Sequence, residues 1–444
     1  MQAPRRSATE SELSRDDQRG VAQFLRAVGL CVGRAANRYP SAIAVSFLAI
    51  SLWPLLAQQN LAASGDVGLY QAVSDDLFAG RVPYRDRELE YPPYAVVIFA
   101  APRFFGRVYP ECWIALAILC DGLIKYCLFA AGFLRPAGLR SFLPLLSYSV
   151  AVPFIGSFYF ERYDIWPALI CVMAILLFCS GRHALSGLAI ALGAGLKVYP
   201  AIFIPVLAVI ALRQSKAARF LIGLAGGLLP LALLSFVVPW WRFAQFQTAR
   251  GLQVESLFAS VLWLGKRLSI VDLRWEYTKK WFEVTGPSAL VTLPWARATL
   301  VLAVVGATAL AARVASRCHD VSTGQVATLL LVPLMAFVAF NTVLSPQFII
   351  WALPLAALGT LEPRPLPILG ILLAAALTPV FYPSLFGDYA SGLNLFETSI
   401  LVFRNLLLIT TLGMLIRGLV RPARADQGAQ PPPAAPSDLP KPIH

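Results

Sequence analysis

An all-α, polytopic transmembrane helical bundle of about twelve spans is the fold this chain predicts, on three observations. Hydrophobic residues make up 58% of the 444 positions and charged residues only 14%. Mean hydropathy is +0.67. Apolar stretches repeatedly exceed the roughly 18 residues that mark a lipid-crossing helix. A closed β-barrel also satisfies its backbone in lipid, but it needs alternating segments of about ten residues, whereas 218–239 is apolar on every face.

The spans fall near 40–58, 111–134, 141–160, 163–180, 184–199, 200–212, 218–239, 296–315, 325–344, 347–361, 365–386 and 398–417. The second member of the pair flanking Pro200 is short for a full crossing. Residues 1–39 lack the short apolar core and small-residue cleavage site of a signal peptide, so they read as a cytoplasmic segment before an uncleaved anchor. Residues 40–417 form one membrane domain. Residues 418–444, Pro-rich beyond Arg421, are expected to be a disordered cytoplasmic tail.

Short basic connections stay on the cytoplasmic side. Arg135 and Arg140, Arg182, Arg213 with Lys216 and Arg219, Arg313 and Arg317, Arg364, and Arg417 with Arg421 and Arg424 occupy alternate loops and agree with a cytoplasmic N-terminus. Residues 94–106 are apolar but too short to span, and counting them as a crossing would turn the basic loops outward. They read as a helix lying in the external interface. Two long loops, 59–110 and 240–295, then face outward.

The formal charge of +13 is spread between apolar spans rather than gathered in one basic domain, which argues against nucleic-acid binding. Seven cysteines show no C-x-x-C pair and read as small buried side chains, and three histidines form no metal constellation. No internal repeat is evident.

Chemistry concentrates in five stretches on the outward side. They are G-D-V-G-L-Y through E-Y-P-P, F-E-R-Y-D, G-L-K-V-Y-P, A-R-G-L-Q-V-E-S-L and L-S-P-Q-F. Ionisable residues at membrane depth are costly, so this convergence points to one site. Asp75 and Asp76 read as capping or solvating a surface helix, with a divalent-metal pair as the alternative. Asp121 and Lys125, four apart in one span, read as an intrahelical ion pair. Lys197 fits either snorkelling to the interface or meeting a lipid phosphate.

In order, these motifs, ending in L-S-P-Q-F-I-I-W, resemble the bacterial polyprenol-phosphate-mannose-dependent mannosyltransferases of glycosyltransferase family 87, within the GT-C superfamily. The resemblance covers roughly residues 40–417. It implies an integral-membrane enzyme of the bacterial plasma membrane, with its active site on the periplasmic or extracellular face. It implies a polyprenyl-phosphate sugar donor and a glycolipid or polysaccharide acceptor; no cofactor is expected, with a divalent metal as the alternative. By the same resemblance Asp66 is the general base. Lys197, Arg250 and Arg162 are expected to bind the donor phosphate. Tyr70, Tyr84, Glu90, Tyr91, Asp164, Tyr199, Glu255, Ser256 and Gln347 are expected to contact substrate.

Such a reaction needs a base for the acceptor hydroxyl and cations for the departing phosphate. One base and one displacement give inversion at the sugar carbon. The competing class is a transporter or flippase for lipid-linked sugars, whose charges would line a path. The absent repeat and the one-sided polar motifs weigh against it.

Overall fold

The computed structural model describes residues 65–420 except 107, 134–138, 157, 279–280, 319, 363–365 and 382–391, together with Ala49 and Leu52. The expectations for 1–39 and 421–444, and most of the predicted span at 40–58, fall outside these residues.

The predicted 59–110 loop contains helices. α1 (Gly65–Phe78) carries Asp66 in its first turn and buries Val67, Tyr70 and Val73, a spacing that places all three on one face. The E-Y-P-P motif starts α2 (Pro93–Ala100), where a proline at the first helical position has no N–H to lose. A 3-10 turn (Ala101–Phe105) extends α2 to Gly106, whose φ of 62° is left-handed. A helical element therefore occupies the predicted interfacial segment. It buries Ala95 and Phe99 while Val97, Phe104 and Phe105 stay exposed.

The bundle follows as α3 (Tyr109–Phe133), α4 (Leu139–Ile155), the single turn α5 (Phe158–Glu161), α6 (Ile165–Cys179), α7 (His183–Leu196), α8 (Ile204–Arg213) and α9 (Ala217–Leu234). Each predicted span within the described residues coincides with a helix. Among the described residues, however, five helices are long and apolar enough to cross a membrane. The predicted span at 141–160 stops where Pro153 precedes Gly156, whose φ is 84°. The pair flanking Pro200 resolves into α7, a 3-10 turn (Tyr199–Phe203) and the short α8. Proline removes a donor and interrupts the helix, and such breaks persist at membrane depth only where surrounding protein satisfies the backbone.

Small residues set the closest helix crossing. A Cβ at Gly223 would lie 1.7 Å from the Ala184 carbonyl oxygen, and one at Gly187 would lie 2.0 Å from that of Phe220. α7 and α9 therefore meet backbone to backbone, as small residues permit in membranes. Gly195 admits the Tyr94 ring, whose hydroxyl donates to the Gly227 carbonyl at 2.7 Å, and this pins α2 across the pair.

The 240–295 segment corrects the all-α expectation. After α10 (Phe243–Ala249) and around α11 (Leu257–Arg267), three strands, β1 (Leu252–Gln253), β2 (Arg274–Thr278) and β3 (Trp281–Thr285), form an antiparallel sheet in the order β1-β3-β2. R-W-E-Y-T and W-F-E-V-T combine period-two alternation with aromatic and β-branched residues, which favours strands over loop. Leu252, Val254, Trp263, Leu273 and Val284 build a second core over this sheet, completed by Phe381, Leu393 and Leu401.

The chain then returns through α12 (Pro287–Ala315), α13 (Thr323–Phe340), α14 (Phe348–Gly359), α15 (Leu366–Pro379) and α16 (Leu395–Val420). α12 begins nine residues before the predicted start at 296, and α16 runs past the predicted tail boundary at 418. α13 is the central helix, 72% buried across its apolar window against 17% for α9 and α12.

Candidate functional site

Three ion pairs assemble where α1, α2, α6, α7, α10 and α14 converge. Arg162, in the turn between α5 and α6, pairs with Asp66. Arg250, extended at the end of α10, pairs with Glu90. Lys197, extended at the end of α7, reaches Asp164 at 2.5 Å. Lys197 also feels the charges of Arg162 and Arg250, so the three cations share one field. Gathering three cations away from water is unfavourable unless each is compensated, and one carboxylate lies beside each.

Local structure explains these positions. Asp164 occupies the N-cap of α6, yet its side chain makes no cap hydrogen bond. Instead its Oδ1 accepts from the Trp351 indole at 2.6 Å and from Lys197. The Lys197 ammonium sits 4.6 Å from the Tyr163 ring centroid and 4.9 Å from that of Trp351, within cation–π range. Arg250 is held through its backbone, because Arg297 of α12 donates to its carbonyl at 2.8 Å. Glu283 of β3 accepts from the neighbouring Gly251 N–H at 2.9 Å. The small sheet thus fixes the approach of Arg250.

An aromatic wall backs the ion pairs. Tyr70 stacks on Phe99 at 4.4 Å, and Tyr91 meets Tyr70 and Tyr163 edge-on. The Tyr70 hydroxyl reaches Asp66 Oδ2 at 3.5 Å. Tyr84, held at φ 67°, donates to the Tyr91 carbonyl at 2.6 Å and latches the loop. Burial pushes the phenols of Tyr70, Tyr84 and Tyr91 upward, so they remain neutral donors.

Other predicted contacts lie elsewhere. Tyr199 is buried and stacks under Trp351 at 4.4 Å, while Cys171 meets its hydroxyl. Glu255 is buried against Arg404 of α16, which donates to its carboxylate and its carbonyl at 2.8 Å each. Asn405 donates to the same carbonyl at 3.1 Å. Ser256 caps α11, accepting from the Ala259 N–H at 3.3 Å. Glu255 therefore ties the 250–256 segment to α16. Gln347, just before α14, makes no hydrogen bond to the cluster among the described residues. Trp351, one turn further along, reaches it instead.

Trp351 and Arg404 were not singled out from the sequence. Arg404 carried a usable signal, as a lone charge within an apolar helix. Trp351 closes the L-S-P-Q-F-I-I-W motif, but an indole in an apolar run reads as core.

Asp121 and Lys125 do form an ion pair along α3, at 2.7 Å, with Tyr159 donating to Asp121. Asp75 pairs with Arg103, and Asp76 with Arg81 and Arg87. No group of three or more His, Cys, Asp or Glu side chains is placed to hold a metal ion among the described residues.

Five helices among the described residues are long and apolar enough to span lipid, and three compensated ion pairs meet in one cluster, which defines an integral-membrane protein with a polar site. The sequence profile of glycosyltransferase family 87 matches residues 89–340, and the chain belongs to that family. It is a membrane glycosyltransferase. The matched segment includes Glu90, Arg162, Asp164, Lys197, Arg250 and Glu255; Asp66 and Trp351 lie outside it. No curated protein matches the chain.

Proposed function

We propose that this glycosyltransferase moves mannose from a polyprenyl-phosphate donor to a hydroxyl of a cell-envelope glycolipid or polysaccharide, on the periplasmic or extracellular face of the bacterial plasma membrane. The observation that carries the reading is the pairing of an accessible carboxylate with a cation. Asp66 is 29% exposed, Arg162 beside it only 10%, and Lys197 and Arg250 stand in the same field. A base open to an acceptor, with buried cations behind it, suits displacement of a phosphate.

Asp66 takes the proton from the acceptor hydroxyl, whose oxygen attacks the anomeric carbon of the donor. The bond from that carbon to the phosphate oxygen breaks, and both electrons leave with the phosphate. Arg162, Lys197 and Arg250 stabilise the growing negative charge, the arginines through forked hydrogen bonds and the lysine as a point charge. A single displacement inverts the anomeric configuration, so a β-linked mannosyl phosphate yields an α-mannoside. The acid formed at Asp66 releases its proton to solvent.

The test is transfer by the purified protein in lipid nanodiscs, supplied with polyprenyl-phosphate mannose and an envelope glycolipid extract. Release of polyprenyl phosphate together with a mannosylated lipid is the expected result. Movement of intact donor across vesicles without transfer would overturn the proposal in favour of a flippase.

A further inference from the structure

Asp164 and Tyr163 are consecutive, and each is 1% exposed. Asp164 Oδ1 is saturated by Lys197 and Trp351, which together lock the plane of the carboxylate. Its Oδ2 is buried without a hydrogen-bond partner among the described residues, and so is the Tyr163 hydroxyl. An unmet buried polar atom is destabilising, so two on adjacent residues beside a catalytic cluster call for a ligand that satisfies both.

The chemistry of the two atoms restricts that ligand. An ionised carboxylate oxygen only accepts, so its complement is a donor such as a hydroxyl. A phosphate oxygen presents negative charge to it and is repelled. The Tyr163 hydroxyl can both donate and accept, which matches a second hydroxyl. Lys197, Arg162 and Arg250 supply the cationic side of the site, whereas Asp164 Oδ2 and Tyr163 supply a side suited to a neutral polyol.

We infer that Tyr163 and Asp164 Oδ2 form a subsite that reads hydroxyl groups of the transferred sugar, with Trp351 positioning the Asp164 carboxylate. This rests on the donor proposed above, and it divides the site into a phosphate half and a sugar half. Sites built to hydrogen-bond a substrate hydroxyl discriminate strongly against analogues that lack it.

The experiment measures binding of two lipids, polyprenyl-phosphate mannose and bare polyprenyl phosphate, to the full-length protein in nanodiscs. Wild type is expected to hold the mannosylated lipid about tenfold or more tighter. Tyr163→Phe removes one oxygen that has no hydrogen-bond partner among the described residues, so its melting temperature is expected to equal or exceed that of wild type. Its affinity for bare polyprenyl phosphate is expected to stay unchanged while the preference for the mannosylated lipid collapses. Unchanged preference in Tyr163→Phe, or no preference in wild type, overturns the subsite and leaves the donor class standing. Failure of wild type to bind either lipid overturns the donor class and the subsite with it. A series of single-deoxy mannosyl donors on wild type provides a readout without any variant. Affinity is expected to fall for one or two hydroxyl positions and hold for the others, and a uniform response overturns the inference.

Discussion

Arg162 and Asp66 hold each other in an ion pair, joining the turn before α6 to the first turn of α1. One partner is the proposed phosphate ligand and the other the proposed base. A donor phosphate arriving beside Arg162 competes with Asp66 for the guanidinium, and the carboxylate it displaces is the group needed to accept the acceptor's proton.

Replacing Asp66 by Asn keeps the shape and removes the base. Transfer is expected to fall roughly 10² to 10⁴-fold. Donor binding should equal or exceed that of wild type, since the Asp66 carboxylate no longer competes with the donor phosphate for Arg162. Single-turnover rates and donor titration on the purified variant check both; near-normal turnover removes Asp66 from the mechanism.

Lys197→Met leaves Asp164, 1% exposed, as a buried carboxylate without its cation. Breaking such a pair from one side costs about 3–5 kcal/mol, so melting temperature and turnover should drop together. Adding Asp164→Asn removes the stranded charge while keeping an acceptor for the Trp351 indole. The double variant should regain much of the thermal stability and none of the turnover. Recovery of both would make the pair purely structural.

Arg404→Ala takes the guanidinium away from the Glu255 carboxylate, and both side chains are under 5% exposed. The expected loss is again about 3–5 kcal/mol, read as a lowered melting temperature in detergent. Exchanging both partners for apolar residues should cost far less. If Arg404→Ala melts like wild type, the Glu255–Arg404 pair does not stabilise the fold.

Orientation can be read by labelling with a membrane-impermeant thiol reagent, after replacing Cys179, which is exposed. Ser269 and Ser215 are both exposed on the folded chain, at opposite ends of the expected topology. Ser269→Cys should label in intact cells and Ser215→Cys only after permeabilisation. The opposite pattern would place the ion-pair cluster on the cytoplasmic side.

Apolar runs, their basic flanks and the polar motifs between them are properties of local sequence. The helices, the 94–106 element and the stretches that meet in the cluster were therefore legible from residue order alone. Helix length was not, because Pro153 with Gly156, and Pro200, break helices only where packed neighbours satisfy the freed backbone. The strands at 274–285 were hidden because a five-residue alternation becomes a strand only when a partner lies beside it. Tertiary structure alone decided the pairing of charges. Lys197 finds Asp164 from 33 residues away, and Arg250 finds Glu90 from 160. It also sent Glu255 to Arg404 and brought the Trp351 indole to Asp164. Sequence determines which charges exist and that they are costly in lipid, but attraction between them acts through space, so packing selects the partner of each.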